Sequence, residues 1–293
     1  MLVVAISTRA LFNFNEGNKV FEKDGLSAYK AYQRELESQP LEKGVCFSLV
    51  KKLLNLNKST EKAIVEVILC SRNSADSGLR VFNSIEHYGL AITRAIFSDG
   101  QPVHQYLKAY KVDLFLSANA VDVADALKIG IASATILTDK IQHYNEKNPQ
   151  LRVAFDADCV LFSDEIEKIN QKHGLDAFIK NEKQHAHVAL PQGPFSSFIR
   201  GFSKIQQTLT DKSLIRTALV TARSAPAHER VIRTLRTWNV TIDESFFLGN
   251  HDKSNVLSVY NPDIFFDDRL TNCTRSAEKV PTGHVPYGVT NIE

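Results

Sequence analysis

The sequence predicts an α/β fold built on a parallel sheet, and three observations carry that prediction. Short apolar, β-branched runs alternate with amphipathic stretches along the whole chain. The second half repeats the pattern of the first at an offset of about 150 positions. Aspartate pairs stand at the ends of two apolar runs of the second half, where open α/β sheets place their ligands.

The strand candidates are Leu2–Ile6, Ala63–Cys70, Ala95–Phe97, Leu114–Leu116, Arg152–Phe155, Thr217–Thr221, Glu244–Leu248 and Ile264–Phe266. Between them, helical periodicity marks Leu26–Glu37, Gly78–Tyr88, Val121–Leu127, Ser163–Lys172, Phe195–Leu209, Ala227–Trp238 and Ser254–Tyr260. Strands that alternate with helices build parallel βαβ units, whose sheet is covered on both faces.

With 293 residues the chain can form one large domain or two ordinary ones. A hydrophobic fraction of 43% and a charged fraction of 23% are those of a globular protein. The net charge of +2 and the scattered lysines give no electrostatic case for nucleic acid as a partner. Cys46, Cys70, Cys159 and Cys273 lie far apart without metal-ligand spacing, which predicts reduced, buried thiols and a cytoplasmic setting. The opening MLVVAISTRALFNF reads as a first strand rather than a signal peptide. No run approaches the ~18–20 apolar residues that span a bilayer, so no membrane is expected.

The internal repeat organises the chain. Residues 89–119 align with 239–269 without a gap, so that Ile92 meets Ile242, Tyr110 meets Tyr260 and Asp113 meets Asp263. ILCSRNSA lies over LVTARSA, EKDGLSAY over QKHGLDAF, and AISTRALF over AFDADCVL. Tandem duplication explains this order at a nearly constant offset. The expected halves are 1–145 and 146–293, joined by a polar linker near residues 140–150.

The chemistry concentrates in the second half. RVAFDADCVLFSDE ends a strand on Asp156 and Asp158. A carboxylate there can attack phosphorus and form an acyl phosphate, and a second one can shuttle the proton. Alone, such a pair also occurs at surface turns and helix caps. TALVTARS ends a strand on Thr221, whose hydroxyl and neighbouring N–H groups suit a phosphate, although an N-cap would look the same. Lys253 falls near a helix start, unfavourable for the helix dipole but suited to phosphoryl oxygens. Asp267 and Asp268 end another strand; adjacent carboxylates call for a cation, and Mg²⁺ accepts such oxygen ligands.

In the order DxD, Thr, Lys, DD these features resemble the haloacid dehalogenase-like phosphohydrolases. AFDADCVLFSDE, HGLDAF, QGPFSSFI, LVTARSA, TLRTWNV, FFLGN, IFFDDR and HVPYGV narrow the resemblance to the cytosolic 5′-nucleotidase type I family. VFEKDGLSAYKAYQ, FNSIEHYGL, YLKAYKVDLFLSAN and IGIASATI extend it into the first half. The resemblance implies a Rossmann-like parallel sheet with a small helical cap, here an insertion at about 163–212. It implies Mg²⁺-dependent hydrolysis of nucleoside 5′-monophosphates (AMP, IMP or deoxynucleotides) through an aspartyl-phosphate. The nucleophile falls on Asp156 and the acid/base on Asp158. Phosphate ligands fall on Thr221 and Lys253, and metal ligands on Asp156, Asp158, Asp267 and Asp268. Cys159 departs from the superfamily, where glycine or another small residue is common. Phe162, Phe195 and Phe198 are candidates for stacking on the base, although aromatics at helical spacing also build cores. A sugar phosphatase of the same mechanism, or a nucleotide-binding regulator with vestigial catalysis, are the rival readings.

The first half lacks the chemistry. Ser7 and Arg9 stand where the second half has Asp156 and Asp158, Val103 faces Lys253, and Ser117 and Ala118 face Asp267 and Asp268. It reads as a degenerate copy that supports the catalytic half or makes homo-oligomer contacts; nothing in its sequence speaks positively for a third role, a regulatory nucleotide site.

Overall fold

The computed structural model describes residues 1–139, 148–249 and 251–291. The expected boundary at 145/146, and most of the linker expected near 140–150, lie outside the described residues. The first half comprises β1 (Leu2–Ile6), α1 (Thr8–Leu11), α2 (Asn15–Glu35), α3 (Phe47–Asn55), β2 (Val65–Ser71), α4 (Ala75–His87), β3 (Ala95–Phe97), α5 (His104–Leu107), β4 (Leu114–Ser117), α6 (Ala120–Lys128) and β5 (Ala132–Ile136). The second comprises β6 (Leu151–Phe155), α7 (Glu165–Gln184), α8 (Ser196–Thr208), β7 (Ile215–Thr221), α9 (His228–Thr237), β8 (Glu244–Phe247), α10 (Lys253–Tyr260), β9 (Ile264–Asp267), α11 (Leu270–Ser276) and β10 (Thr282–His284).

Among the described residues, ten strands join one mostly parallel sheet in the order β3-β2-β1-β4-β5-β10-β9-β6-β7-β8. From either outer edge to the middle, each half runs third, second, first, fourth and fifth strand. The halves meet where β5 pairs antiparallel with β10, His284 opposite Thr135. Small hydrogen bonds recur with the strand order. Asp113 Oδ2 accepts the Val3 N–H at 2.8 Å, and Asp263 Oδ2 accepts the Arg152 N–H at 2.9 Å.

The inner strands β1, β4 and β9 are buried on both faces, which is why they read as apolar runs. On one face Val4, Leu116, Phe155 and Phe266 share a single core with Leu53 of α3 and Phe202 of α8. That core crosses from one half to the other. On the opposite face it divides into one cluster around Phe115 and another around Phe265. A buried ion pair fastens the halves: Lys52 Nζ of α3 lies 2.7 Å from Asp263 Oδ1, and Ser48 Oγ donates to the same oxygen at 3.0 Å.

Helices α2 and α7 each bend at one glycine, Gly25 (φ 81°) and Gly174 (φ 79°). Left-handed backbone of this kind is open to glycine at no steric cost. The sequence reading caught one segment on each side of these bends, Leu26–Glu37 and Ser163–Lys172. The segment expected to form the cap, 163–212, holds α7 and α8. Only α7 borders the pocket described below, whereas α8 lies on the sheet with Phe198, Ile199 and Phe202 buried. All four cysteines are free and buried. Among the described residues, no helix is long and apolar enough to cross a membrane.

Candidate active site

The carboxyl ends of β6, β7 and β9 open onto a cavity of about 360 Å³. Asp156 follows β6 directly, and its N–H is held by the Phe266 carbonyl at 2.8 Å, in line with the parallel pairing of β6 and β9. Asp267 ends β9 and Asp268 follows it. Oxygens of Asp156, Asp267 and Asp268 come within 4.8 Å of one another, and all three residues are buried. Lys253, first residue of α10, places Nζ 2.8 Å from Asp156 Oδ2 and 2.7 Å from Asp267 Oδ2.

One ammonium against three buried carboxylates leaves excess negative charge. Burial, with Asp267 beside it, pushes the Asp156 carboxyl up to about 7 despite Lys253. Burial and the neighbouring Asp156 and Asp267 push Asp268 up to about 8. Lys253 itself is held protonated: burial favours its neutral form, but Asp156 and Asp267 override that and raise it. A donor set of hard, clustered oxygens that repel one another fits a divalent cation. The carboxylates are also braced from behind. Asp267 Oδ1 accepts the Arg269 N–H at 2.8 Å, and Asn272 Nδ2 donates to both of its oxygens at 3.2 Å. Around Asp268, Thr290 donates to Oδ2 at 3.2 Å and Asn291 Nδ2 to the carbonyl at 2.9 Å.

These shifts set a pH dependence. A carboxyl whose folded pKa lies above its ordinary value stabilises the fold in the protonated form, so stability is lost as pH rises through the folded value. The metal-free protein is expected to melt lower at about pH 8.5 than at about pH 6, and a divalent cation to raise the midpoint more at the higher pH. Thermal melts in EDTA and in Mg²⁺ check this, and a pH-independent midpoint in EDTA would contradict it.

The Asp158 side chain lies outside the cluster of Asp156, Asp267 and Asp268. Two residues past Asp156, it is turned to Arg223, whose Nε and Nη2 each donate to one of its oxygens at 2.8 Å. The pairing is bidentate, with the planar match that guanidinium and carboxylate permit. Arg223 in turn pairs with buried Glu182 of α7, which also accepts from Arg230 Nη1 at 2.8 Å. Neither Arg223 nor Glu182 was singled out from sequence, because partners 41 residues apart leave no spacing signal. Thr221 ends β7 and lines the cavity. Its Oγ1 accepts the Arg223 N–H at 3.2 Å, which leaves the hydroxyl proton to donate. Cys159 takes a left-handed φ of 61°, a conformation that costs a non-glycine residue about 1–2 kcal/mol and that a glycine would adopt freely.

The three expected stacking residues are elsewhere. Phe162 and Phe195 have no exposed surface and Phe198 is 4% exposed. Phe195 and Phe198 pack with Phe155, and Phe162 lies against Trp238. None of the three lines the cavity. The apolar wall that does face the cavity comes from the second segment of α7, with Leu175, Phe178 and Ile179. Phe178 stacks under the Arg223 guanidinium at 5.5 Å.

A family model described as 5′-nucleotidase matches residues 1–292. Human cytosolic 5′-nucleotidase 1B is 39% identical over 281 residues, covering 92% of this chain and 46% of that protein. The chain thus spans about half the length of the curated relative it matches. A solved histidinol dehydrogenase from Elizabethkingia anophelis aligns with 83% of this chain and 50% of its own at 11% identity, but its TM-score of 0.24 carries no structural argument. On the match of the family model over nearly its full length, the chain belongs to the 5′-nucleotidase family.

Proposed function

We propose that the chain is a cytosolic, Mg²⁺-dependent nucleoside 5′-monophosphatase of haloacid dehalogenase type whose second half carries the reaction. The observation that supports this reading most is the buried cluster of Asp156, Asp267 and Asp268 around one lysine, at the carboxyl ends of strands and open to a cavity. The family match and the name of the human relative supply the substrate class.

In this reading Asp156 attacks phosphorus, the ester P–O bond breaks, and the leaving oxygen takes a proton from Asp158. Water, deprotonated by Asp158, then attacks the acyl phosphate and releases phosphate with Asp156 restored. Arg223 grips both oxygens of Asp158 and so positions it. Thr221 and Lys253 hold phosphoryl oxygens. Mg²⁺, held by Asp156 and the Asp267/Asp268 pair, would offset charge on the transferring group. Leu175 and Phe178 would face the nucleoside. The first half, with the same strand order and none of the carboxylates, is a degenerate tandem copy.

A phosphate-release panel tests the assignment, using AMP, IMP, deoxynucleoside monophosphates and sugar phosphates with and without Mg²⁺. Nucleotides are expected to lead by at least tenfold in kcat/KM, a difference of about 1.4 kcal/mol in transition-state binding. Equal rates on sugar phosphates would point instead to a general phosphatase.

A further inference from the structure

The first half keeps a cavity in the place where the second half has its active site. It encloses about 430 Å³ at the carboxyl ends of β1, β2 and β4, under the bent helix α2. The correspondence extends to single positions: Arg9 stands for Asp158, Leu26 for Leu175, Tyr29 for Phe178 and Asn73 for Arg223. What has changed is the charge. Four carboxylates and three cations line the catalytic cavity, whereas Arg9, Lys30 and Arg72 face one carboxylate, Asp99, in the other.

Two of these cations are already engaged. Lys30 lies 3.5 Å from Asp99, and Arg72 is paired with Asp122 at 2.7 Å. Arg9 makes no hydrogen bond or ion pair among the described residues, so its charge is available to a ligand. Opposite it stands an apolar wall. Phe21 packs edge-on against Tyr29 with centroids 6.1 Å apart, yet Phe21 is 48% and Leu26 53% exposed. Exposed aromatic surface beside an uncompensated guanidinium suits a ligand with a flat ring at one end and an anion at the other. The groups required for hydrolysis are missing, since Ser7, Ser117 and Ala118 replace the carboxylates that would attack phosphorus or hold a cation.

We propose that this cavity is a second, non-hydrolytic binding site for a nucleoside phosphate. The inference stands on the residues of this cavity and does not require the reading of the catalytic half. Calorimetric titration of the full chain in EDTA, which stops Mg²⁺-dependent turnover, is the test, with AMP, adenosine and inorganic phosphate as probes. AMP is expected to bind more tightly than either fragment. Arg9→Glu should weaken AMP binding by about tenfold or more, the value of one lost charged contact. Arg9→Lys should retain most of it, and the part of the binding that Arg9→Glu removes should persist in Thr221→Val, which weakens only the catalytic cavity. Arg9 is exposed, so melting curves of its variants should match the wild type. No detectable binding at millimolar AMP, or binding abolished by Thr221→Val but not by Arg9→Glu, would overturn the proposal. Hydrolysis in Mg²⁺ is measured separately, so either result can fail without the other.

Discussion

Asp156→Asn is expected to lower turnover by roughly 10⁴-fold or more, the scale seen when an enzyme loses its nucleophile. The same substitution should not unfold the protein. Asparagine preserves the carbonyl oxygen that accepts the Ala157 N–H at 2.7 Å. It also removes one charge from a buried cluster in which the Asp156 carboxyl titrates near 7. In the absence of metal at about pH 8, the variant should therefore melt at or above the wild-type temperature. Activity assays and melts on one preparation separate the two effects. Substantial phosphatase activity in a well-folded Asp156→Asn protein would exclude Asp156 as the attacking group.

Lys253→Met should produce the opposite pattern, with loss of both stability and rate. Its ammonium is the buried cation that bridges Asp156 and Asp267, and removing one partner of a buried ion pair costs about 3–5 kcal/mol. For a chain of this size that corresponds to a melting point lower by roughly 10 °C. Because the remaining carboxylates still attract cations, Mg²⁺ should restore part of the loss. The rate should fall by about 10²–10³, as when a single group that stabilises developing charge is deleted. A variant as stable as the wild type in EDTA would show that Lys253 does not neutralise the cluster.

Much of this arrangement was legible in the chain, for identifiable reasons. Parallel strands such as the buried Leu2–Ile6 and the edge strand Ala95–Phe97 announce themselves as apolar runs, and their bounds match the structure. Asp156, Thr221, Lys253, Asp267 and Asp268 follow directly on such runs or open a helix, so each could be placed at a strand or helix end before any coordinates. Strands β5 and β10 could not be found in this way. ASATI is small and only partly apolar, and TGH is three residues long; β5 is held by β4, β10 by β9, and the two pair with each other between them. Helix α3, FSLVKKLLN, was also missed, since Lys52 interrupts its apolar pattern and is buried against Asp263. The aromatic residues failed differently. Spacing puts Phe195 and Phe198 on one side of a helix, but whether that side meets a cavity or the core depends on what packs against it. Arg223 and Glu182 belong to the same class, partners brought together only by the tertiary fold.

The antiparallel join of β5 and β10 also bears on what a half molecule would do. Cut apart, each half would present a bare row of N–H and C=O groups along one strand, beside apolar surface stripped of its cover. Such an edge is a template for adding another strand. Antiparallel pairing is compatible with a two-fold axis, so a liberated first half can dock β5 against β5 of a second copy and recover a closed symmetric particle. Under the duplication proposed above, the single chain corresponds to that dimer made covalent.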